Sequence, residues 1–97
     1  MPPETTKRVL VIGATSAIAS EVARRFAAEG ARLYLTGRTA ARLDAVASDL
    51  RVRGAGQVST DVLDVTDRRR AAEVLRGAWD AYDGFDVALV AHINRAS

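Results

Sequence analysis

Short apolar runs alternate with longer segments of helical periodicity along almost the whole chain. Four runs read as strands, over Arg8–Ile12, Arg32–Thr36, Gln57–Leu63 and Phe85–Ala91. The first is β-branched or Leu throughout after Arg8, which suits a strand buried on both faces of a sheet. Parallel strands need helical crossovers between them, and the alternation supplies one after each of the first three strands. The pattern therefore predicts an α/β fold, with helices on both faces of a parallel sheet in three layers.

Three segments carry apolar residues three and four positions apart, which is typical of amphipathic helices. They run from Ser16 to Glu29, from about Ala40 to Arg53, and from a cap at Thr66 or Asp67 to a break at Asp83-Gly84. The predicted core stripes are Ile18, Val22 and Phe26 in the first helix, Leu43, Val46, Ala47 and Leu50 in the second, and Ala71, Val74, Leu75, Ala78, Trp79 and Tyr82 in the third. Ser16 and Thr39 are candidate N-caps, and Gly30 is placed to end the first helix at C′.

Composition limits the classes of protein that this chain can be. Its 97 residues make one domain at most, with residues 1–7 as a polar leader. There is no Cys, which excludes a disulfide framework and a thiolate metal site. The leader lacks the apolar core of a signal peptide, and no apolar run approaches the roughly 20 residues of a membrane span. We therefore expect a cytoplasmic protein with no membrane partner and no metal site.

The segment with the most functional information is the turn between the first strand and the first helix, Gly13-Ala14-Thr15-Ser16-Ala17-Ile18-Ala19. A strand–turn–helix of this kind aims backbone N–H groups and the positive end of a helix dipole at an anion, usually a phosphate. The alternative is a strand-to-helix connection without a ligand, in which Thr15 and Ser16 only cap the helix.

This stretch resembles the Gly-x-x-x-Gly-Ile-Gly turn of the short-chain dehydrogenase/reductase family, with Ala17 and Ala19 in place of the second and third glycines. The resemblance covers residues 8 to about 92 and implies a Rossmann-type, doubly wound sheet of strand order 3-2-1-4. It also implies that Gly13, Thr15, Ser16, Ala17 and Ile18 form the pyrophosphate turn. Each alanine adds one methyl group and disfavours a positive φ, so the turn is slightly more crowded than the family pattern.

Three further matches follow the later strands of the predicted sheet. Arg38 comes after the second strand with no acidic residue at positions 36–38, and in Rossmann proteins an Arg here accepts the 2′-phosphate of NADP. Asp64 and Val65 resemble the family's Asp-Val pair, whose carboxylate meets the adenine amino group; the alternative for Asp64 is a helix cap or a turn residue. Ala91 matches the Asn-Asn-Ala-Gly turn and would line the adenosine ribose. The resemblance thus implies NADP(H) as the cofactor in preference to NAD(H), although His92 and Ile93 depart from the pattern.

The chain lacks the residues that carry the chemistry of this family, a Ser and a Tyr-x-x-x-Lys pair. Tyr34 is followed four residues later by Arg38, Tyr82 is followed by Asp86, and the single Lys, Lys7, precedes both tyrosines. A complete family member would transfer hydride between the nicotinamide and a carbonyl or alcohol substrate. We therefore expect the chain to be the truncated, inactive N-terminal cofactor half of such an oxidoreductase, ending in a non-family tail at 93–97. The alternative is a catalytically silent module that senses or buffers a nucleotide.

Several other features receive less specific interpretations. Arg68-Arg69-Arg70 could suggest a nucleic-acid binder, but the run lies in the first turn of a helix beside acidic residues, and the net charge is only +2. A solvated helix face, with no nucleic-acid partner, is the prediction. His92 has no companion group that the sequence can place, so no proton role is assigned to it. In strand order 3-2-1-4 the fourth strand is an apolar edge, which predicts self-association.

Overall fold

A computed structural model describes residues 6–14, 17–64 and 66–90. In these residues three helices alternate with four strands, in the order predicted from the hydrophobic pattern. The elements are β1 (Arg8–Ile12), α1 (Ala17–Ala28), β2 (Arg32–Gly37), α2 (Ala40–Val52), β3 (Gln57–Val62), α3 (Arg68–Tyr82) and β4 (Val87–Val90).

The four strands form one parallel sheet in the order β3-β2-β1-β4. β1 is central and aligns Leu10 with Tyr34 of β2 on one side and with Ala88 of β4 on the other. This is the Rossmann-type order 3-2-1-4 that the family resemblance implied, and it is confirmed. All four strands run in the same direction, so their carboxyl ends lie along one edge of the sheet.

The α1 and α2 helices cover the same face of the sheet. Val9 and Val11 of β1, and Leu33 and Leu35 of β2, have no solvent exposure and belong to one apolar cluster with both helices. From α2 this cluster takes Leu43, Ala47 and Leu50, with Val46 packed at its margin, which confirms the predicted stripe.

The stripe predicted for α1 is wrong by one position. Its buried residues are the alanines Ala19, Ala23 and Ala27, while Phe26 only packs against the cluster from the side. Ile18 is 75% exposed. Small side chains let the helix backbone lie close to the sheet, and the larger residues of the neighbouring stripe then fall at the margin or in solvent.

The α3 helix lies on the opposite face, where Val74, Ala78 and Tyr82 are buried. The Tyr82 hydroxyl donates a hydrogen bond to the Leu33 carbonyl at 2.7 Å. Its ring packs edge-on to Tyr34, with 5.5 Å between centroids. Trp79, predicted to be core, is 57% exposed, so that part of the prediction is wrong. The ring stands instead at the rim, edge-on to Phe85 at 6.2 Å.

The helix ends follow from local sequence. Gly30, with φ +81°, ends α1 in a Schellman motif, since its N–H bonds the Ala27 carbonyl and the Ala31 N–H bonds the Phe26 carbonyl. Thr39 occupies the N-cap position of α2, but its side chain makes no capping hydrogen bond. Of the two predicted caps of α3, Thr66 and Asp67, the N-cap is Asp67. Its carboxylate accepts a hydrogen bond from the Arg70 N–H at 3.2 Å.

Candidate functional site

The carboxyl edge of the sheet brings together three of the segments singled out in the sequence. β1 ends at the Gly13 turn, β2 ends before Arg38, and β3 ends shortly before Asp64. The predicted site residues Thr15, Ser16, Val65 and Ala91, together with His92, lie outside the described residues. In doubly wound sheets this edge is where ligands bind, since loops and helix N-termini converge there.

The turn after β1 is fixed by hydrogen bonds to β2. Gly13 has φ +86°, a conformation that favours glycine, and its N–H donates to the Thr36 carbonyl at 3.0 Å. The Ala14 N–H donates to the same oxygen at 2.8 Å. The first two amides of the turn are therefore used inside the protein, and Gly13 shapes the turn rather than offering a donor.

Two side chains strengthen this turn, and sequence reasoning singled out neither. Thr36 is fully buried, and its hydroxyl donates to the Val11 carbonyl at 3.0 Å. The Ser20 hydroxyl donates to the Ala14 carbonyl at 2.9 Å and so links the turn to α1. The only sequence signal for Thr36 was its position at the end of a strand, directly after the apolar residues 33–35. Beside this turn, at the start of α1, Ala17 and Ile18 are exposed.

The start of α1 has the electrostatic character of an anion site. No acidic residue lies in its first turn, so nothing in that turn opposes the positive end of the helix dipole. Ala19 occupies the third glycine position of the resemblance and is buried in the core cluster. Its extra methyl group is therefore accommodated by packing between helix and sheet, away from the outward surface of the turn.

Arg38 lies directly after β2, is exposed, and makes no ion pair or hydrogen bond to any other described residue. Arg42, one turn further into α2, is likewise exposed and unpaired within the described ranges. The first turn of α2 also contains no acidic residue. Positive charge at this corner is therefore not neutralised by neighbouring described side chains, which suits recognition of a doubly charged phosphate.

Asp64 organises the connection from β3 to α3. Its Oδ1 accepts from the Thr66 N–H at 3.0 Å and from the Thr66 hydroxyl at 2.7 Å. Its carbonyl accepts from the Asp67 N–H at 3.0 Å. These bonds show that Asp64 is a turn residue. Because Asp64 is also exposed, its side chain remains accessible to solvent at the carboxyl edge.

Both tyrosine side chains make contacts within the protein, on the sheet face that α3 covers. Burial raises the pKa of Tyr82, whose hydroxyl contacts the Leu33 carbonyl and lies 3.0 Å from Ser59 Oγ. Burial, followed by the nearby Asp61 carboxylate, raises the pKa of Tyr34. Neither hydroxyl is placed to exchange a proton with a ligand at the carboxyl edge.

Residues 6–14, 17–64 and 66–90 contain no group of three or more His, Asp or Glu side chains arranged to hold a metal ion. None of the helices in those ranges is both long enough and apolar enough to cross a membrane.

Comparison with known proteins gives similar relatives along almost the whole chain. A hydroxysteroid 11-beta-dehydrogenase 1-like protein of Xenopus tropicalis is 37% identical over 93 residues, which are 94% of this chain and 32% of that protein. The sulfoacetaldehyde reductase 2 of Chromohalobacter salexigens is 45% identical over 67 residues, which are 69% of this chain and 26% of that protein. The chain thus spans about a third of the length of these curated relatives.

Solved structures agree with the sequence matches. The structure of an F189W actinorhodin polyketide ketoreductase with NADPH superposes with a TM-score of 0.84 at 26% identity, covering 97% of this chain and 36% of that one. A model of the short-chain dehydrogenase family matches residues 7–93. On these matches, and on the sheet order and turn described above, the chain belongs to the short-chain dehydrogenase family.

Proposed function

We propose that this chain binds a nicotinamide adenine dinucleotide at the carboxyl edge of its sheet, with NADP(H) preferred to NAD(H). The observation that supports this preference most directly is Arg38 after β2, which is exposed and has no partner among the described residues, in a sequence with no acidic residue at positions 36–38. In Rossmann proteins an acidic side chain here binds the ribose hydroxyls of NAD, whereas an Arg accommodates the 2′-phosphate of NADP. The ketoreductase similar to this chain was solved with NADPH.

The residues of the carboxyl edge fit such a cofactor. The 13–18 turn, including Thr15 and Ser16, would hold the pyrophosphate beside the acid-free start of α1. Arg38 would hold the 2′-phosphate, Asp64 and Val65 the adenine, and Ala91 the wall beside the adenosine ribose. The Gly13 and Ala14 amides already bond Thr36, so pyrophosphate binding depends on the donors that follow them.

In a complete family member we propose the reversible transfer of hydride between the nicotinamide and a carbonyl or alcohol substrate. The bound cofactor supplies the hydride chemistry, and this chain supplies binding and orientation. Neither tyrosine is followed by Lys at the catalytic spacing, and Tyr82 is buried against Leu33. We therefore propose that this chain binds the cofactor but does not itself catalyse the reaction.

Replacing Arg38 by Ala tests the cofactor assignment. A hydrogen bond to a charged group contributes about 1.5–3 kcal/mol, so its loss should raise the dissociation constant for NADPH roughly ten- to hundredfold. The dissociation constant for NADH should stay nearly unchanged, because NADH has no 2′-phosphate. Isothermal titration calorimetry with both cofactors measures the two effects.

Arg76→Ala is the matched control, since Arg76 is another exposed Arg without a partner in the described residues, but it lies on α3. It should change neither affinity. If Arg38→Ala weakens both cofactors equally, or if Arg76→Ala has the same effect as Arg38→Ala, the assignment of Arg38 to the 2′-phosphate is wrong.

The second candidate is a catalytically silent nucleotide-binding module, with which the lack of a Tyr-x-x-x-Lys pair in this sequence also agrees. The parent reading frame distinguishes the two. A Tyr-x-x-x-Lys motif encoded downstream of residue 97 supports the oxidoreductase. A natural stop there, with NADPH binding but no NADPH consumption on a panel of aldehydes and ketones, supports the silent module.

A further inference from the structure

We propose that Ser20 is a positioning residue for the cofactor, which holds the turn after β1 in the shape that binds the pyrophosphate. This role rests on the proposed function and extends it to a residue outside the 13–18 turn. The Ser20 hydroxyl donates to the Ala14 carbonyl at 2.9 Å, across six positions of the chain. It therefore joins the turn to α1, the two segments that together form the proposed pyrophosphate site.

Within the described residues the turn is hydrogen-bonded to its surroundings in two ways. The Gly13 and Ala14 amides both donate to the Thr36 carbonyl, which ties the turn to β2 through backbone groups alone. The bond from Ser20 is the one that ties Ala14 to α1 among the described residues, and it depends on a side chain. A single hydroxyl group therefore fixes the Ala14 carbonyl relative to the helix.

No other side chain in the first four residues of α1 can replace this bond. Residues 17–19 are Ala, Ile and Ala, which carry no side-chain donor, so Ser20 is the first polar residue of the helix. Ala14 is only 1% exposed, so water has little access to its carbonyl. A buried carbonyl that loses its donor is costly, and the turn would then move toward other conformations.

The direction of the Ala14 carbonyl matters for anion binding. A peptide group is planar and trans, so its C=O and its N–H point in opposite directions. A carbonyl held toward Ser20 therefore turns the donor side of the same peptide group away from Ser20. In the proposed complex that donor side meets the pyrophosphate, while the partial negative charge of the carbonyl is bonded to a hydroxyl instead of facing the anion.

Ser20→Ala should weaken the binding of NADPH and NADH by the same factor. Without the hydroxyl the turn samples further conformations, and the apparent dissociation constant rises as the fraction of binding-competent chains falls. The ordinary strength of a neutral hydrogen bond sets that rise at roughly three- to tenfold. Both cofactors contain the pyrophosphate, so the ratio of their dissociation constants should not change, whereas Arg38→Ala should change it. Isothermal titration calorimetry measures both constants.

Two further variants serve as controls. Ser48→Ala makes the same substitution in α2, where Ser48 is exposed and has no partner among the described residues. It should leave both dissociation constants within about twofold of the parent values. Ser20→Thr keeps the hydroxyl, and an open groove of about 200 Å³ beside Ser20, lined by residues of α1 and α2, has room for the added methyl group. It should bind both cofactors more tightly than Ser20→Ala does.

Stability separates a positioning role from a purely structural one. Ala has a higher helix propensity than Ser, which offsets the lost hydrogen bond, so Ser20→Ala should barely shift the midpoint of urea unfolding. Affinity should therefore fall while stability is retained. Hydrogen exchange of the Gly13 and Ala14 amides, followed by NMR without cofactor, should become roughly three- to tenfold faster in Ser20→Ala and stay unchanged in Ser48→Ala.

The outcomes distinguish this role from the proposed function. If the parent chain binds neither cofactor, the proposed function is wrong and the role of Ser20 falls with it. If the parent chain binds and Ser20→Ala leaves both dissociation constants unchanged, or changes only that for NADPH, Ser20 is not a positioning residue and the proposed function stands. The same holds if Ser20→Ala loses stability without losing affinity, if its amide exchange is unchanged, or if Ser20→Thr binds no better than Ser20→Ala.

Discussion

Different kinds of side chain pack against the two faces of the sheet. The face beneath α1 and α2 is closed by Val, Leu and Ala side chains, many with no solvent exposure. The face beneath α3 is held by an aromatic group of Tyr34, Trp79, Tyr82 and Phe85 and by hydrogen bonds from tyrosine hydroxyls. Ala88 and Val90, on the same face, are exposed.

The difference shows which forces stabilise each half of the molecule. On the closed face stability comes from apolar burial and close packing, which depend on volume and shape. On the α3 face a larger share comes from directed contacts, such as the Arg32 guanidinium 4.7 Å from the centre of the Tyr82 ring. Substitutions on the two faces should therefore differ in the size of their effects on stability.

The largest effect is expected from a cavity on the closed face. Leu35 is fully buried in the core cluster, so Leu35→Ala should lower the free energy of unfolding by about 2–5 kcal/mol. A domain of this size has little stability to lose, and partial unfolding at 25 °C is expected. Urea denaturation measures the change. Val52→Ala on α2 removes methyl groups from a side chain that is 86% exposed and should change stability by less than about 0.5 kcal/mol.

A smaller effect is expected from removing one hydroxyl beneath α3. Tyr82→Phe deletes the 2.7 Å hydrogen bond to the Leu33 carbonyl in a buried setting and should cost about 1–2 kcal/mol. Tyr34→Phe is the matched control, because the Tyr34 hydroxyl meets Asp61 only at 3.5 Å and should cost less than about 0.5 kcal/mol. Urea denaturation measures both, and a loss from Tyr82→Phe no larger than that from Tyr34→Phe would show that the hydrogen bond to Leu33 adds no measurable stability.

The smallest effect is expected at the exposed ion pair that joins β1 to the start of β4. Asp86 accepts from the Arg8 side chain and from its backbone N–H at 2.9 Å, and these bonds hold the pKa of Asp86 below its ordinary value. The resulting stability is present above the pKa of Asp in the unfolded chain. It is lost as the pH falls through the lower, folded value.

The wild-type chain should therefore be more stable than Asp86→Asn at pH 7, and the difference should shrink below about pH 4. Unfolding curves at both pH values provide the measurement, and a difference that does not change with pH would contradict it. Arg53 and Arg24 lower the pKa of Asp49, on the side of the closed face. The difference in stability between wild type and Asp49→Asn should therefore also shrink below about pH 4.

Sequence patterning was reliable where one stripe was clearly the more apolar. The stripe of α2 was predicted correctly, whereas that of α1 was assigned to Ile18, Val22 and Phe26 and belongs to Ala19, Ala23 and Ala27. Both stripes of α1 repeat every four residues, so periodicity cannot separate them. Hydrophobicity favours the larger side chains, but the distance between helix and sheet, which the sequence does not report, favours the smaller ones.

The same reasoning explains what was found and missed at the candidate site. The family resemblance placed Gly13, Arg38 and Asp64 after successive strands, and the structure brings them to one edge of the sheet. The bonds from Gly13 and Ala14 to the Thr36 carbonyl were not predicted, because they join residues more than twenty positions apart. The Asx turn of Asp64 is local and was among the stated alternatives.

The sequence alone determined the order of helices and strands and the segments that can meet an anion, because periodicity, glycine and capping residues act over a few neighbouring positions. Tertiary structure alone decided which stripe of α1 is buried, that Trp79 stands at the rim, and that the β1 turn is tied to β2. These outcomes depend on distances between segments far apart in the chain, and such distances exist only once the sheet has formed.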